Sequence, residues 1–208
     1  MKKTHTPLTR ERILAAALHL VDAQGLRRLT MRRLGDALEV EAMAIYHHFP
    51  LGKEALLDGL VEHLSAVPVT AAPETDWQER LRTWARAYRD RVAAHPGLLP
   101  LLVSRPVRTP ATLAATEAQY AACHDGGLRG PAILDAVRTL TGYVIGFVSL
   151  EIRDARPANG DAAEGLDARY PHATALRSYA TGRDPDDQFE AGLTAVLTGI
   201  TALAAHPV

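Results

Sequence analysis

Most of the reactive side chains in this sequence fall into groupings that exclude chemistry. His47 and His48 are adjacent, so on a helix they point about 100° apart and cannot share one metal ion. His63, His95 and His124 have no partners at metal-ligand spacing, and Cys123 is the single cysteine. That count excludes an intramolecular disulfide framework and any multi-cysteine zinc or iron–sulfur site. Cys123 itself reads as a small buried hydrophobe rather than a nucleophile. Asp186 and Asp187 sit where a helix begins, and their charge meets its dipole. There is no Gly-x-Ser-x-Gly, no phosphate-cradling glycine loop and no His-Glu-x-x-His. The sequence therefore argues against an enzyme and calls for no cofactor and no metal.

One constellation points elsewhere. Residues 30–49 read TMRRLGDALEVEAMAIYHHF. A short helix opened by Thr30, a tight connection at Glu39 and Val40, and a second short helix from Glu41 make a helix-turn-helix arrangement. Leu34, Ala37, Val40 and Ile45 are the small or aliphatic positions expected to pack the two helices together. Ala42, Met43, Tyr46 and His47 then face outward, flanked by Arg32, Arg33 and Lys53. In such a motif the first helix braces on the phosphate backbone and the second lies in the major groove. From spacing alone, a structural helical hairpin in a bundle fits the same residues.

Charge distribution adds to this. The 208 residues carry a formal net charge of -1, but residues 1–53 hold nine Lys/Arg against five acids, or +4, and the remainder carries −5. A basic front attracts polyanions and an acidic back does not; chance clustering of solvated charges gives the same numbers. With 47% hydrophobic and 23% charged residues, the composition is that of a soluble globular protein. Unbroken apolar stretches such as Tyr143–Leu150 are far shorter than the roughly 20 residues of a membrane span. The N-terminus has no apolar segment of the signal-peptide kind, and the expected location is a reducing cytoplasm.

The elements that must position these residues are helical almost throughout. Ile13, Leu14, Ala17, Leu18 and Val21 form a helical stripe with Thr9 as N-cap and Gly25 as stop. Leu56, Leu57, Leu60, Val61 and Leu64 mark another helix, and Pro68–Pro73 reads as a hinge. Trp77, Leu81, Trp84, Tyr88 and Val92 stripe a long helix opened by Thr75 or Asp76. A helix over 110–123 follows, then a long one over 131–154 whose apolar positions cover more than one face, so burial on several sides is expected. Residues 156–165 read as a loop, and a last helix spans 186–205. The predicted class is all-α, with a three-helix helix-turn-helix domain over 1–52 and a helical effector-binding and dimerisation domain over 53–208.

The run from Thr9 to Leu64 resembles the N-terminal domain of the TetR (tetracycline-repressor) family of bacterial regulators. The pieces that carry the resemblance are ILAAALHLVDAQGL (13–26), LTMRRLGDALEV (29–40), AIYHHF (44–49) and KEALLDGL (53–60). Further on, Trp77, His95-Pro96, Arg105-Pro106, Gly142 and Glu151 resemble the tetracycline-repressor branch. The resemblance implies a ligand-responsive repressor that binds palindromic, double-stranded operator DNA as a homodimer and is released by a small-molecule effector. It implies that Thr30, Tyr46, His48 and Lys53 touch phosphates. It places Arg32 on phosphate or a base edge, His47 on backbone or base, and Ala42 and Met43 at the base-facing start of the recognition helix. Neither Ala42 nor Met43 can make bidentate hydrogen bonds, which leaves Arg32 as the expected base reader. The sequence departs from the family in having Glu39 where most members have glycine. A positive φ there would cost roughly 1 kcal/mol. The loop Pro50-Leu51-Gly52 is one residue longer than usual.

Gly142-x-x-x-Gly146, with Ala191, Ala195, Thr198 and Ala202, allows close helix approach. The pattern suits either a two-fold seam between subunits or ordinary core, and the resemblance favours the seam. The aromatics Trp84, Tyr88, Tyr120, Tyr143 and Phe147, with Arg105, suit an effector pocket, although such a stripe also fits plain core. Leu101 or Leu102 and Tyr143 stand where the tetracycline-repressor branch has metal-binding histidines, so the expected effector is largely apolar or aromatic. A helical protein-interaction module without DNA binding is the alternative, and no membrane partner is expected.

Overall fold

Helix boundaries fall where the capping chemistry places them. The computed structural model describes residues 7–70, 72, 74–155, 169–180 and 182–205. Among these, α1 (Arg10–Gln24) starts where the Thr9 hydroxyl accepts from the Arg12 N–H and stops at Gly25, φ 83°. A 3-10 turn, Leu26–Arg28, leads to α2 (Met31–Leu38), capped by Thr30. The short α3 (Ala42–His48) and α4 (Lys53–Ser65) follow. Asp76 opens α5 (Trp77–Ala94) by accepting from the N–H groups of Gln78 and Glu79, which offsets two donors that a helix start leaves unpaired. After a turn at Pro96–Leu98 come α6 (Leu99–Ser104) and α7 (Pro110–Asp125). The chain then continues through α8 (Pro131–Asp154), α9 (Pro171–Ala180) and α10 (Pro185–Ala205). No strand occurs among the described residues. α9 escapes the sequence reading because its Leu176 and Tyr179 are exposed and leave no inward stripe to detect. The loop expected over 156–165 lies outside the described residues.

The chain divides into two compact units at Ala121/Ala122. In the first, one apolar cluster gathers Ile13, Ala17 and Val21 of α1, Leu34 of α2, Ile45 of α3, and Leu56, Leu60 and Leu64 of α4, with Phe49 at its centre. Each such aliphatic side chain removed from water stabilises the unit by about 1.5–3 kcal/mol. α4 belongs to this cluster as fully as α1 does, so the packing unit runs past residue 52. Leu98 and Leu101 join it from the α6 side.

In the second unit α8 lies along α10. Ala136, Val137, Leu140, Val144 and Val148 of α8 are buried, as are Phe189, Leu193, Leu197 and Ile200 of α10. The expected burial of α8 on several sides is not met within one chain. Leu134 and Leu150 are 56% and 50% exposed, and a Cβ added at Gly142 or Gly146 would meet nothing within 4 Å. By length and mean hydropathy α8 is also long and apolar enough to cross a membrane, although its unbroken apolar runs are much shorter.

Candidate nucleic-acid interface

The turn between α2 and α3 is built from two unusual positions. Glu39 adopts φ 55°, ψ 41°, the left-handed conformation that glycine takes at little cost. As a non-glycine it carries roughly 1 kcal/mol of strain. Gly35 supplies the room: a Cβ there would lie 2.8 Å from the Val40 carbonyl oxygen and 3.3 Å from the Ala42 nitrogen. The Val40 N–H donates to the Gly35 carbonyl at 3.0 Å. The inward stripe of α2 is therefore Met31, Leu34, Gly35 and Leu38. Ala37, expected inside, is exposed on the flank of that stripe.

Ile45 anchors α3 with no exposed surface, while Met43 is 70% and Tyr46 39% exposed. His47 is exposed as well, and Ala42 and His48 are half-buried. With 3.6 residues per turn, Met43, Tyr46 and His47 share the face opposite Ile45. Gly52, φ 64°, passes beneath Tyr46; a Cβ there would lie 3.0 Å from the ring's Cε1. The Tyr46 ring thus rests on bare backbone. Lys53 follows at the first position of α4, half-buried and with no ion-pair partner among the described residues.

The two arginines of α2 differ. Arg33 donates to the Gln24 side chain on α1, so it is held back against the protein. Arg32 is exposed, with no such partner among the described residues. The Thr30 hydroxyl accepts from the Arg33 N–H at 3.2 Å, which leaves its own proton free to donate to a phosphate. Every residue expected to touch DNA is at least partly accessible, and all lie on or beside the two helices and the start of α4. Such a face can set register through phosphates and read bases only sparsely.

The residues expected around an effector divide between the units. In the first, Trp84 is 2% exposed and stacks on Tyr88 at 5.1 Å between centroids. The Trp84 Nε1 is buried with no hydrogen-bond partner among the described residues, and so is the Gln119 Oε1. Burial pushes the Tyr88 phenol up to about 12, against the opposing effect of its hydrogen bond with Ser65. Tyr120, with Thr112, Thr116 and Arg108, lines a groove of about 740 Å³. Arg105 turns to α4, donating to Asp58 Oδ1 at 2.6 Å and to Glu54; these carboxylates raise its pKa. In the second unit the Tyr143 hydroxyl donates to the Phe189 carbonyl at 2.7 Å. Tyr143 and Phe147 complete an aromatic cluster with Phe189. The polar tips that singled out Arg105 and Tyr143 therefore have partners inside the protein.

Two family models cover the chain. Residues 13–60 match that of bacterial regulatory proteins of the tetR family, and residues 68–204 that of the tetracyclin repressor-like C-terminal domain. The chain belongs to the TetR family. It is a transcriptional regulator with a DNA-binding helix-turn-helix, and α8 is part of the TetR C-terminal domain. It is similar to an HTH-type transcriptional regulator of Saccharopolyspora erythraea, 32% identical over 97% of this chain and 88% of that one. It is also similar to the HTH-type transcriptional repressor DrrR1 of Streptomyces coeruleorubidus, 30% identical over 96% of this chain and 79% of the relative. Among solved structures, the ActR protein of Streptomyces coelicolor in complex with actinorhodin superposes with a TM-score of 0.79 at 26% identity, covering 97% of this chain and all of that one.

Several positioning residues of this TetR head escape a reading of motifs. Gly35 leaves a signal, since a glycine inside a helical pattern costs about 1 kcal/mol against alanine and so calls for a reason in the packing. Gly52 beneath Tyr46 leaves none, because its role depends on the path of the loop. His95 Nδ1 lies 2.9 Å from Asp22 Oδ2 and ties the turn before α6 to α1, a contact between residues 73 apart in sequence.

Proposed function

We propose that two copies of this chain form a ligand-responsive repressor. Each presents the outer face of α3 to one half of a palindromic, double-stranded operator, and a small-molecule effector releases the DNA. The observation that carries the reading is the exposed face of Met43, Tyr46 and His47, opposite a fully buried Ile45 and beside Arg32 and Lys53, which have no ion-pair partner among the described residues. In this division of labour residues 1–52 read DNA, with Thr30, Arg32, Ala42, Met43, Tyr46, His47, His48 and Lys53 as contacts. Residues 53–208 receive the effector and pair the subunits.

Pairing is supported by the glycine-lined outer face of α8 and by Ala191, Ala195 and Thr198 of α10, all exposed. Two heads joined in this way reach half-sites about 34–36 Å apart or a multiple of that. For the effector, the proposed contacts are Trp84, Tyr88, Arg105 and Tyr120 of the first unit, while Tyr143 and Phe147 belong to the aromatic cluster of the second. The buried Trp84 N–H and Gln119 carbonyl add a requirement. An occupant that accepts from the one or donates to the other gains a hydrogen bond at a site where leaving it unmade costs about 1–3 kcal/mol. This favours a flat aromatic molecule with a polar edge, and the actinorhodin complex of ActR supports that class. The proposed location is the cytoplasm.

The test is selection of bound duplexes from a random pool with the purified protein. An inverted repeat should emerge, and binding to it should weaken in the presence of actinorhodin or another aromatic compound of a screened panel. Failure to enrich any inverted repeat would overturn the reading of paired heads.

A further inference from the structure

Arg10, at the first position of α1, touches three residues at the end of α3 and on α4. Its guanidinium lies 4.4 Å from the centroid of the Phe49 ring. Nη1 donates to the carbonyl of His48, the last residue of α3, at 3.4 Å. Nη2 lies 3.9 Å from Glu62 Oε2 on α4. Gly59 of α4 leaves the room: a Cβ there would sit 3.2 Å from Arg10 Nη2 and 3.3 Å from Phe49 Cε1.

The last carbonyls of a helix have no partner within it, and a cation there meets the negative end of the dipole. α3 has only seven residues, and none of them is a lysine or an arginine. A guanidinium on another helix supplies the charge and stacks on the ring that ends α3. A planar fork is suited to all three contacts at once; an ammonium is not.

We propose that Arg10 is a positioning residue for DNA readout: it fixes the C-terminal end of α3 from α1 and ties it to α4 through Glu62. This rests on the proposed function. It assigns Arg10 to the protein's own geometry rather than to a phosphate, and it joins α4 to the end of the recognition helix.

The experiment measures affinity for the selected operator, and for single-base variants of it, against salt, with the wild type, Arg10→Lys, Arg10→Gln and Glu62→Gln. A positioning role predicts that Arg10→Lys, which keeps the charge, binds about five- to tenfold more weakly. The penalties for mismatched bases should shrink while the salt slope stays as in the wild type. Glu62→Gln should show a smaller loss of the same kind. The double variant Arg10→Gln/Glu62→Gln should be no worse than Arg10→Gln alone. Wild-type affinity in Arg10→Lys, with a shallower slope in Arg10→Gln, would make Arg10 a phosphate contact and overturn the inference. Unaltered binding by Glu62→Gln would overturn its α4 arm, and that variant decides the matter should the Arg10 variants not fold. If the wild type enriches no inverted repeat, the proposed function fails; if it does and Arg10→Lys reads it normally, only the inference fails.

Discussion

Replacing Lys53 by alanine tests the reading face and the pairing of heads together. Lys53 opens α4 directly after Gly52 and has no acidic partner among the described residues. Its loss breaks no ion pair, and stability should change by no more than about 0.5 kcal/mol. Each phosphate neutralised contributes about 0.9 to the slope of log K against log salt. Two copies in one complex contribute about 1.8. Over the fourfold range from about 50 to 200 mM salt, wild-type affinity should therefore fall about twelvefold further than that of the variant. Fluorescence anisotropy with the selected operator at several salt concentrations reads this directly, and Lys53→Arg should keep the wild-type slope. An unchanged slope would remove Lys53 from the phosphate contacts. A decrease of only about 0.9 would mean that one head engages, which contradicts the paired reading.

Gly35→Ala should drive a Cβ to within 2.8 Å of the Val40 carbonyl; overpacking of this kind costs about 1–3 kcal/mol, and thermal melting should show it as a fall of several degrees. For His63, burial, then Arg91 and His95, hold the imidazole below its ordinary value. The unfolded chain therefore binds that proton more tightly, so the contribution of His63 to stability is constant above about pH 6.5 and is lost as pH drops below it. Denaturant midpoints between pH 5 and 8 should show the decline, and His63→Gln should flatten it; an identical decline in the variant would assign it to another group. Cys123 is fully buried, and burial pushes its thiol up to about 11. A thiol-specific reagent at pH 8 should label the native protein only at the rate at which its unit opens, and rapid labelling would contradict the packing.

The helices were legible because their signals are local. Thr9, Thr30 and Asp76 cap where a side-chain oxygen can reach a free N–H, and the periodicity of α1, α4, α5 and α10 needs no partner to be seen. The glycine-like conformation of Glu39 was legible only through resemblance, since nothing in Glu-Val-Glu itself demands a positive φ. The inside of α2 is only partly legible, because Gly35 has no side chain to register as apolar and the spacing points to Ala37 instead. Arg10 was hidden for a different reason. Its partners, His48, Phe49 and Glu62, lie 38 or more residues away, and a charged residue at a helix start ordinarily reads as solvated. α9 leaves no such signal, because its large apolar residues Leu176 and Tyr179 are exposed.

The outer flank of α8, with its glycines and exposed leucines, has a bearing on how much protein a cell must hold. Covering that flank with a second copy stabilises the fold by mass action, so the stability gained depends on abundance. Under the proposed pairing, a chain made at a few copies per cell would spend part of its time alone, with an oily side open to water and to proteases. As its dosage rises, the flank would close and the pair would acquire the spacing that an operator requires. Scarcity would then relieve repression by two routes: fewer molecules, and a smaller fraction of them fit to bind.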